Sequence, residues 1–270
     1  MKPVRSALNM AGLATPRAVT CEVDKLADEQ ADARTGAQRD LAAIEESRRE
    51  LESLTYTIAH DLRAPLRTVE GFARALSEDC GERLDEDGHR YLRHVLDAAH
   101  RMSAMLEGLL SLARLSQAEF HPVALELSLI ARRILERLRT AEPARPIEMS
   151  IPEGVAAEAD PPLLTAALEA LLQNAWKFTR GREPARIELG VKPGTPPVYF
   201  VGDNGIGFDM RYAGKLFAPF QRLCSEKEFE GAGIGLAAAR RVIHRHGGRI
   251  WAEAAPDRGA RFYFTLTRQP

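Results

Sequence analysis

Two apolar stripes with helical spacing, separated by a short charged break, constrain the first half of this 270-residue chain more than any other feature. In the first stripe Leu51, Leu54, Ile58, Leu62, Leu66 and Val69 recur at intervals of three and four. That is the period of an amphipathic helix with one buried seam. In the second, Leu92, Val95, Leu96, Ala99, Met102, Leu106, Leu109 and Ala113 repeat the pattern. The intervening CGERLDEDG (80–88) is rich in turn-forming and charged residues. Two helices with a short connection form an antiparallel hairpin. A single hairpin cannot bury both stripes, whereas two side by side make a four-helix bundle. A homodimer is therefore expected.

His60 lies in the first stripe's helix, within TYTIAHDLRAPLR (55–67), and Asp61 follows it. It is two residues from both Ile58 and Leu62, about 200° around the helix from each. It is expected to point away from the seam into solvent. Pro65 removes the backbone bond to the carbonyl of Asp61, at a cost of about 3 kcal/mol in an ideal helix interior. A kink one turn beyond His60 is the expected result. An exposed imidazole beside a carboxylate on a stiff helix suits a nucleophile. The same description fits an ordinary surface histidine.

Three segments are expected. Residues 1–37 read as a flexible N-terminal tail or signalling segment, although the Ala-, Glu- and Arg-rich run from about Glu22 to Arg49, interrupted at Gly36, is a candidate helix continuous with the His60 helix from about residue 38. Residues 38–118 form the helical hairpin, and residues 119–270 a second domain. Around SQAEFHPVALEL (116–127) the helical period is lost, and Pro122 marks a linker or a short pairing segment. Beyond it, helices are predicted at 127–139, 162–178 and 232–246. Strands are predicted at 147–151, 186–192, 198–203, 249–253 and 261–267. This is an α+β layer, a mixed sheet covered on one face.

The balance of 37 Lys and Arg against 38 Asp and Glu leaves a net charge of -1, against a sequence-independent grip on nucleic acid. Cys21, Cys80 and Cys224 are odd in number and lack a CxxC, so neither a disulfide framework nor a zinc site is indicated. A reducing cytoplasm fits that usage. No apolar run approaches the ~20 residues of a membrane span. No direct membrane insertion is expected, and a stimulus from outside the cell would arrive through a separate sensor protein.

Three clusters in the second half carry chemistry. In LEALLQNAWKF (168–178), Asn174 and Lys177 leave the apolar stripe. An amide oxygen can ligate Mg²⁺ and an ammonium can meet phosphate. In VGDNGIGFD (201–209), Asp203 closes a predicted strand and precedes Gly205 and Gly207. A carboxylate there can accept a hydrogen bond from an exocyclic amine such as that of adenine, although DNG more often marks a plain turn. In GAGIGLAAARRVIHRHGG (231–248), Gly231, Gly233 and Gly235 open a helix. A Gly-rich entry to a helix N-terminus suits an anion. It matches neither the GxxxxGK[ST] nor the GxGxxG pattern. Between the last two clusters, Phe217 and Phe220 in KLFAPFQRL are expected to anchor a mobile lid.

In this order, the histidine helix, Asn helix, DxGxG, paired Phe and GxGxG together resemble the bacterial sensor histidine kinases, over about residues 38–268. AHDLRAPLR, NAWKFT, FQRL and EFEGAGIGLAAARRVIHRHGG look most like kinases that follow PAS-type sensors or phytochromes. The resemblance implies a Bergerat-type ATP-binding domain, the fold shared with gyrase and MutL, after the dimerising hairpin. It implies that Asp203 holds the adenine amino group and that Asn174 ligates Mg²⁺. Gly205, Gly207, Gly231, Gly233 and Gly235 would shape pocket and lid. Lys177 would contact phosphate, with Lys215 and Arg222 as weaker contacts. His60 would attack the γ-phosphate of ATP, with Asp61 accepting the other ring N–H. A hinge near 116–127 would let the domains meet. The phosphoryl group would pass to an aspartate on the receiver domain of a separate response regulator.

The chain departs from the family at three places. Ala170 stands where many members carry Asn, which keeps a catalytically weak ATP-binding scaffold or sensor module as the alternative reading. Ala64 stands where dual-function members carry Thr or Asn, so weak phosphatase activity is expected. No PAS, GAF or membrane segment fits into the first 37 residues, so the expectation is either a sensor region trimmed from this sequence or a short kinase that takes its input from another protein.

Overall fold

Helix α1 (Pro16–Cys80) contains the first apolar stripe and Pro65. The computed structural model describes residues 16–221 and 232–267; Arg222, Cys224 and Gly231 lie outside them. Residues 16–37 are helical, so the candidate helix from about Glu22 extends back to Pro16. The segment is rich in Ala, Glu and Arg, strong helix formers, and a lone Gly36 costs only about 1 kcal/mol against them. The chain divides into two compact units, residues 1–53 and 54–270. Apart from Leu51, the residues described below belong to the second.

A 3-10 turn (Gly81–Arg83) leads to helix α2 (Glu86–Gln117), whose N-cap Asp85 accepts the N–H of Gly88 at 2.7 Å. The two helices pack through Ala59, Leu66, Ala99, Leu106 and Leu110. Ser103 Oγ donates to Glu70 Oε1 across the pair at 2.7 Å. As expected for one hairpin alone, most of the predicted stripe stays uncovered within the chain. Leu66 is buried, but Leu51, Leu54, Ile58, Leu62 and Val69 are exposed, as is Phe72 at 74%. The stripe that meets α2 is Ala59, Leu66 and Ala73, at seven-residue spacing. Small side chains let the helices approach, and the bulkier apolar residues remain on a separate face.

Strand β1 (Val123–Glu126) follows and pairs antiparallel with β3 (Ala156–Ala159). This two-stranded ladder occupies part of the segment read as a linker or pairing segment. Helix α3 (Leu127–Ala141) and strand β2 (Ile147–Ser150) lie between its strands. Then come helix α4 (Pro161–Phe178), strands β4 (Ala185–Lys192) and β5 (Val198–Asp203), helix α5 (Gly235–Arg245), and strands β6 (Ile250–Ala254) and β7 (Ala260–Thr265). The main sheet has the order β2-β4-β5-β7-β6 and is mixed, with only the β2–β4 pair parallel.

Alternation along the strands sends Ile187, Leu189, Val201, Phe262 and Phe264 into one core with Leu168, Leu171 and Leu172 of α4 and Ile243 of α5. The other face is roofed by its own side chains. Tyr263 neighbours Phe200 and Trp251, at ring centroid distances of 5.9 and 5.4 Å. Arg261, Lys192 and Arg249 lie over the three rings.

Candidate functional site

Asp160 caps α4 by accepting the N–H of Leu163 at 3.1 Å, and the helix buries Leu164, Leu168, Leu171 and Ala175 along one side. Its other side carries Ala170, Asn174 and Lys177 into a cavity of about 490 Å³. Asp203, Gly207, Gly233 and Gly235 line the same cavity. Residues separated by some sixty positions of chain are thus brought to one place. The size suits a small-molecule site.

Strand β5 delivers Asp203 to the cavity floor. Its Oδ1 accepts the N–H of Gly205 at 2.7 Å. Burial pushes the carboxyl up to about 6, against the opposing pull of the Gly205 and Ala260 N–H groups. The loop after it is tied on every side. Ile206 N–H donates to Phe178 O at 3.1 Å, Asp257 N–H to Ile206 O at 2.7 Å, and Arg182 Nη2 to Gly205 O at 3.2 Å. Asn204 serves this turn, accepting from Arg186 N and donating to Pro184 O. Gly207 has φ 60°, and a Cβ there would overlap Ala255 O. Gly205 does not line the cavity; a Cβ on it would overlap Phe178 O, so its part is to let the loop lie against the end of α4.

Gly233, at φ 70°, turns the chain into α5, and Gly235 begins that helix. The N–H of Phe220 donates to Gly233 O at 2.9 Å. The two phenylalanines expected to anchor a lid do so differently. The Phe217 ring stands edge-on to Phe262, 6.4 Å between centroids. Phe220 is exposed and holds the loop through its backbone, with φ 63°. Neither ring lines the cavity, and nor does the exposed Lys215. The Lys177 ammonium rests over the Phe178 ring at 4.3 Å.

His60 is on α1, outside the cavity. Its side chain is 64% exposed, and Nδ1 lies 3.2 Å from Asp61 Oδ1. With the carboxylate accepting Nδ1–H, the neutral ring keeps its lone pair on Nε2. The Tyr56 ring stacks near it at 6.5 Å, one turn earlier.

Sequence reasoning missed one wall. Ala104, Gly108, Ser111 and Leu115 of α2 also line the cavity. These residues recur at helical spacing, but the larger apolar stripe on the same helix obscured them.

Two family models match this arrangement. The model for the histidine kinase-, DNA gyrase B- and HSP90-like ATPase matches residues 159–270, and that for the His Kinase A (phospho-acceptor) domain matches residues 50–118. The chain belongs to the sensor histidine kinases. This kinase core is 36% identical over 232 residues to the methanogenesis regulatory histidine kinase FilI of Methanothrix harundinacea, covering 85% of the chain and 26% of FilI. It is 32% identical over 227 residues to cyanobacterial phytochrome B of Nostoc sp., covering 83% and 30%. It therefore spans less than a third of either relative. Among solved structures, full-length ShkA in complex with AMPPNP shares its fold, with a TM-score of 0.54 at 23% identity over 81% of this chain and 47% of that one. No helix among the described residues is long and apolar enough to cross a membrane.

Proposed function

We propose that the chain is an ATP-dependent protein histidine autokinase. It phosphorylates His60 and passes the phosphoryl group to an aspartate of a separate response regulator. The observation that carries this reading is the single cavity shared by Asn174, Lys177, Asp203, Gly207, Gly233 and Gly235, in one chain with an exposed His60–Asp61 pair.

Asp203 accepts a hydrogen bond from the adenine amino group at the cavity floor. The backbone at Gly233 and Gly235, at the start of α5, meets the phosphates through N–H groups and the helix dipole. Lys177 adds a cation. Among the described residues no group of three or more His, Cys, Asp or Glu could hold a metal. A lone amide oxygen from Asn174 fits a hard cation held mainly by phosphate oxygens. Bound Mg²⁺ would neutralise phosphate charge.

His60 Nε2 attacks the γ-phosphorus of ATP. The N–P bond forms, the bond to the bridging oxygen breaks, and ADP leaves. Asp61 keeps the Nδ1 proton and stabilises the positive ring that results. The transfer asks chiefly for positioning and charge neutralisation. The receiver's aspartate then takes the phosphoryl group and returns neutral imidazole. ATP supply places this chemistry in the cytoplasm, with input from a sensor region or protein.

The working unit is a homodimer. Burying a leucine is worth about 2 kcal/mol, while ordering each residue costs about 1–2 kcal/mol. The narrow Ala59–Leu66–Ala73 seam cannot offset that for a long hairpin. The exposed apolar face suits a second copy.

Incubation with γ-labelled ATP and Mg²⁺ tests the reading. Acid-labile, base-stable label that is lost in His60→Gln is expected. A protein that binds ATP yet takes no label would be the ATP-binding scaffold that Ala170 allows.

A further inference from the structure

The cavity has a direction along α4. At one end, the Ile206 N–H donates to Phe178 O at 3.1 Å, which fixes the loop after Asp203 against the last turn of the helix. At the other end, the start of α5 comes against Ala170: a Cβ on Gly235 would lie 3.5 Å from the Ala170 methyl. Ala170 and Phe178 are eight residues apart, about 12 Å along the helix axis. A nucleotide with its base at Asp203 and its phosphates at residues 233–235 therefore runs along α4. Its terminal phosphate lies towards the N-terminal half of that helix.

Helix α4 offers few polar groups at that end. Ala166 and Ala170 line the cavity with methyl groups only. Glu169 is paired with Arg137 of α3 at 2.6 Å, and a carboxylate would repel phosphate. Lys177 is about two turns from Ala170, at the base end. Asn174 serves the cation in the reading above. Gln173 remains, exposed and lining the cavity. It lies three residues after Ala170 and four before Lys177, so it shares their side of the helix. Side chains on a helix lean towards its N-terminus, so the Gln173 amide reaches over the turn that contains Ala170. The short alanine side chains leave it room.

We infer that Gln173 is the residue that distinguishes ATP from ADP, its side-chain amide donating an N–H to the terminal phosphate. A neutral donor suits that place. It orients the γ-phosphorus, yet holds it less firmly than a second cation would hold a group that must leave for His60. Once the phosphoryl group has gone, this contact is lost, and ADP keeps only the contacts of the base and the inner phosphates. Exchange of ADP for fresh ATP follows from that difference. The inference rests on the kinase reading, and it adds to that site a residue that selects the triphosphate.

Titration calorimetry of the full chain with Mg²⁺ and either ADP or the β,γ-imido analogue of ATP tests it, since neither ligand is turned over. Gln173→Ala should weaken binding of the analogue about tenfold and change ADP binding by less than about twofold. Gln173→Glu keeps the size and adds a negative charge, so it should weaken the analogue further and again spare ADP. Retained ADP affinity also shows that the variants keep a folded site. A loss in Gln173→Ala as large for ADP as for the analogue, or no loss for the analogue, overturns the inference. A wild type that binds neither nucleotide defeats the kinase reading instead.

Discussion

Asp203 Oδ1 accepts the N–H of Gly205 at 2.7 Å, so the residue that floors the cavity also folds the turn behind it. Its carboxyl is raised from 3.8 to about 6, chiefly by burial. The folded protein therefore favours the protonated form. The associated stability is complete below about pH 4 and is lost as pH rises through 6. Asp203→Asn should raise the melting temperature relative to wild type at pH 7.5 and give no such gain at pH 4. Adenine requires the charged acceptor, so ATP affinity of the wild type should fall as pH drops below about 6. The variant should lose about tenfold or more at pH 7.5. Thermal unfolding and titration calorimetry at both pH values check these outcomes. Unchanged ATP affinity in the variant would remove Asp203 from the site.

Asp61 acts on the ring, not on the nucleotide. Asp61→Asn should lower the autophosphorylation rate by about 100-fold and leave the KM for ATP unchanged. Initial rates across ATP concentrations separate the two effects. A change confined to KM would contradict the role given to the His60–Asp61 contact.

Gly207 and Gly235 line one cavity but should respond differently to alanine. At Gly207 a Cβ meets Ala255 O in a left-handed backbone, so Gly207→Ala should cost about 1–3 kcal/mol and weaken nucleotide binding. At Gly235 the nearest atom to a Cβ is that of Ala170 at 3.5 Å, an ordinary contact. Gly235→Ala should fold with wild-type stability or better, because alanine favours the helix it begins. Denaturant unfolding compares the two.

Phe72 and Leu76 are exposed on the hairpin's apolar face. The double variant Phe72→Glu/Leu76→Glu should sediment as a monomer, with nucleotide affinity kept. A wild type that is monomeric at micromolar concentration would refute the dimer.

The second domain was largely legible because its signals are local. The alternation in 186–192 and 198–203, the apolar stripe of 162–178 and the glycines before α5 each specify an element within a few residues. Asp203 could be placed because it ends a strand and precedes glycines. Ladder β1–β3 was harder to see, since its strands are short and its pairing joins Val123 to Ala159 across intervening helix and strand. The roles of Phe217 and Phe220 were not separable either, because two similar residues three apart differ only in which one reaches Phe262.

What the sequence by itself determined was the main helices, the five strands of the mixed sheet and the chemistry available on each, since hydrophobic period, capping and glycine placement act over a few residues. Tertiary structure alone decided which stripe of α1 meets α2 of its own chain. Leucines and alanines of one helix compete for the same partner, and close approach favoured Ala59, Leu66 and Ala73. It also decided that α2 walls the nucleotide cavity. That depends on a missing side chain at Gly108 meeting Ile234 far along the chain, a complementarity of shape that no local pattern records.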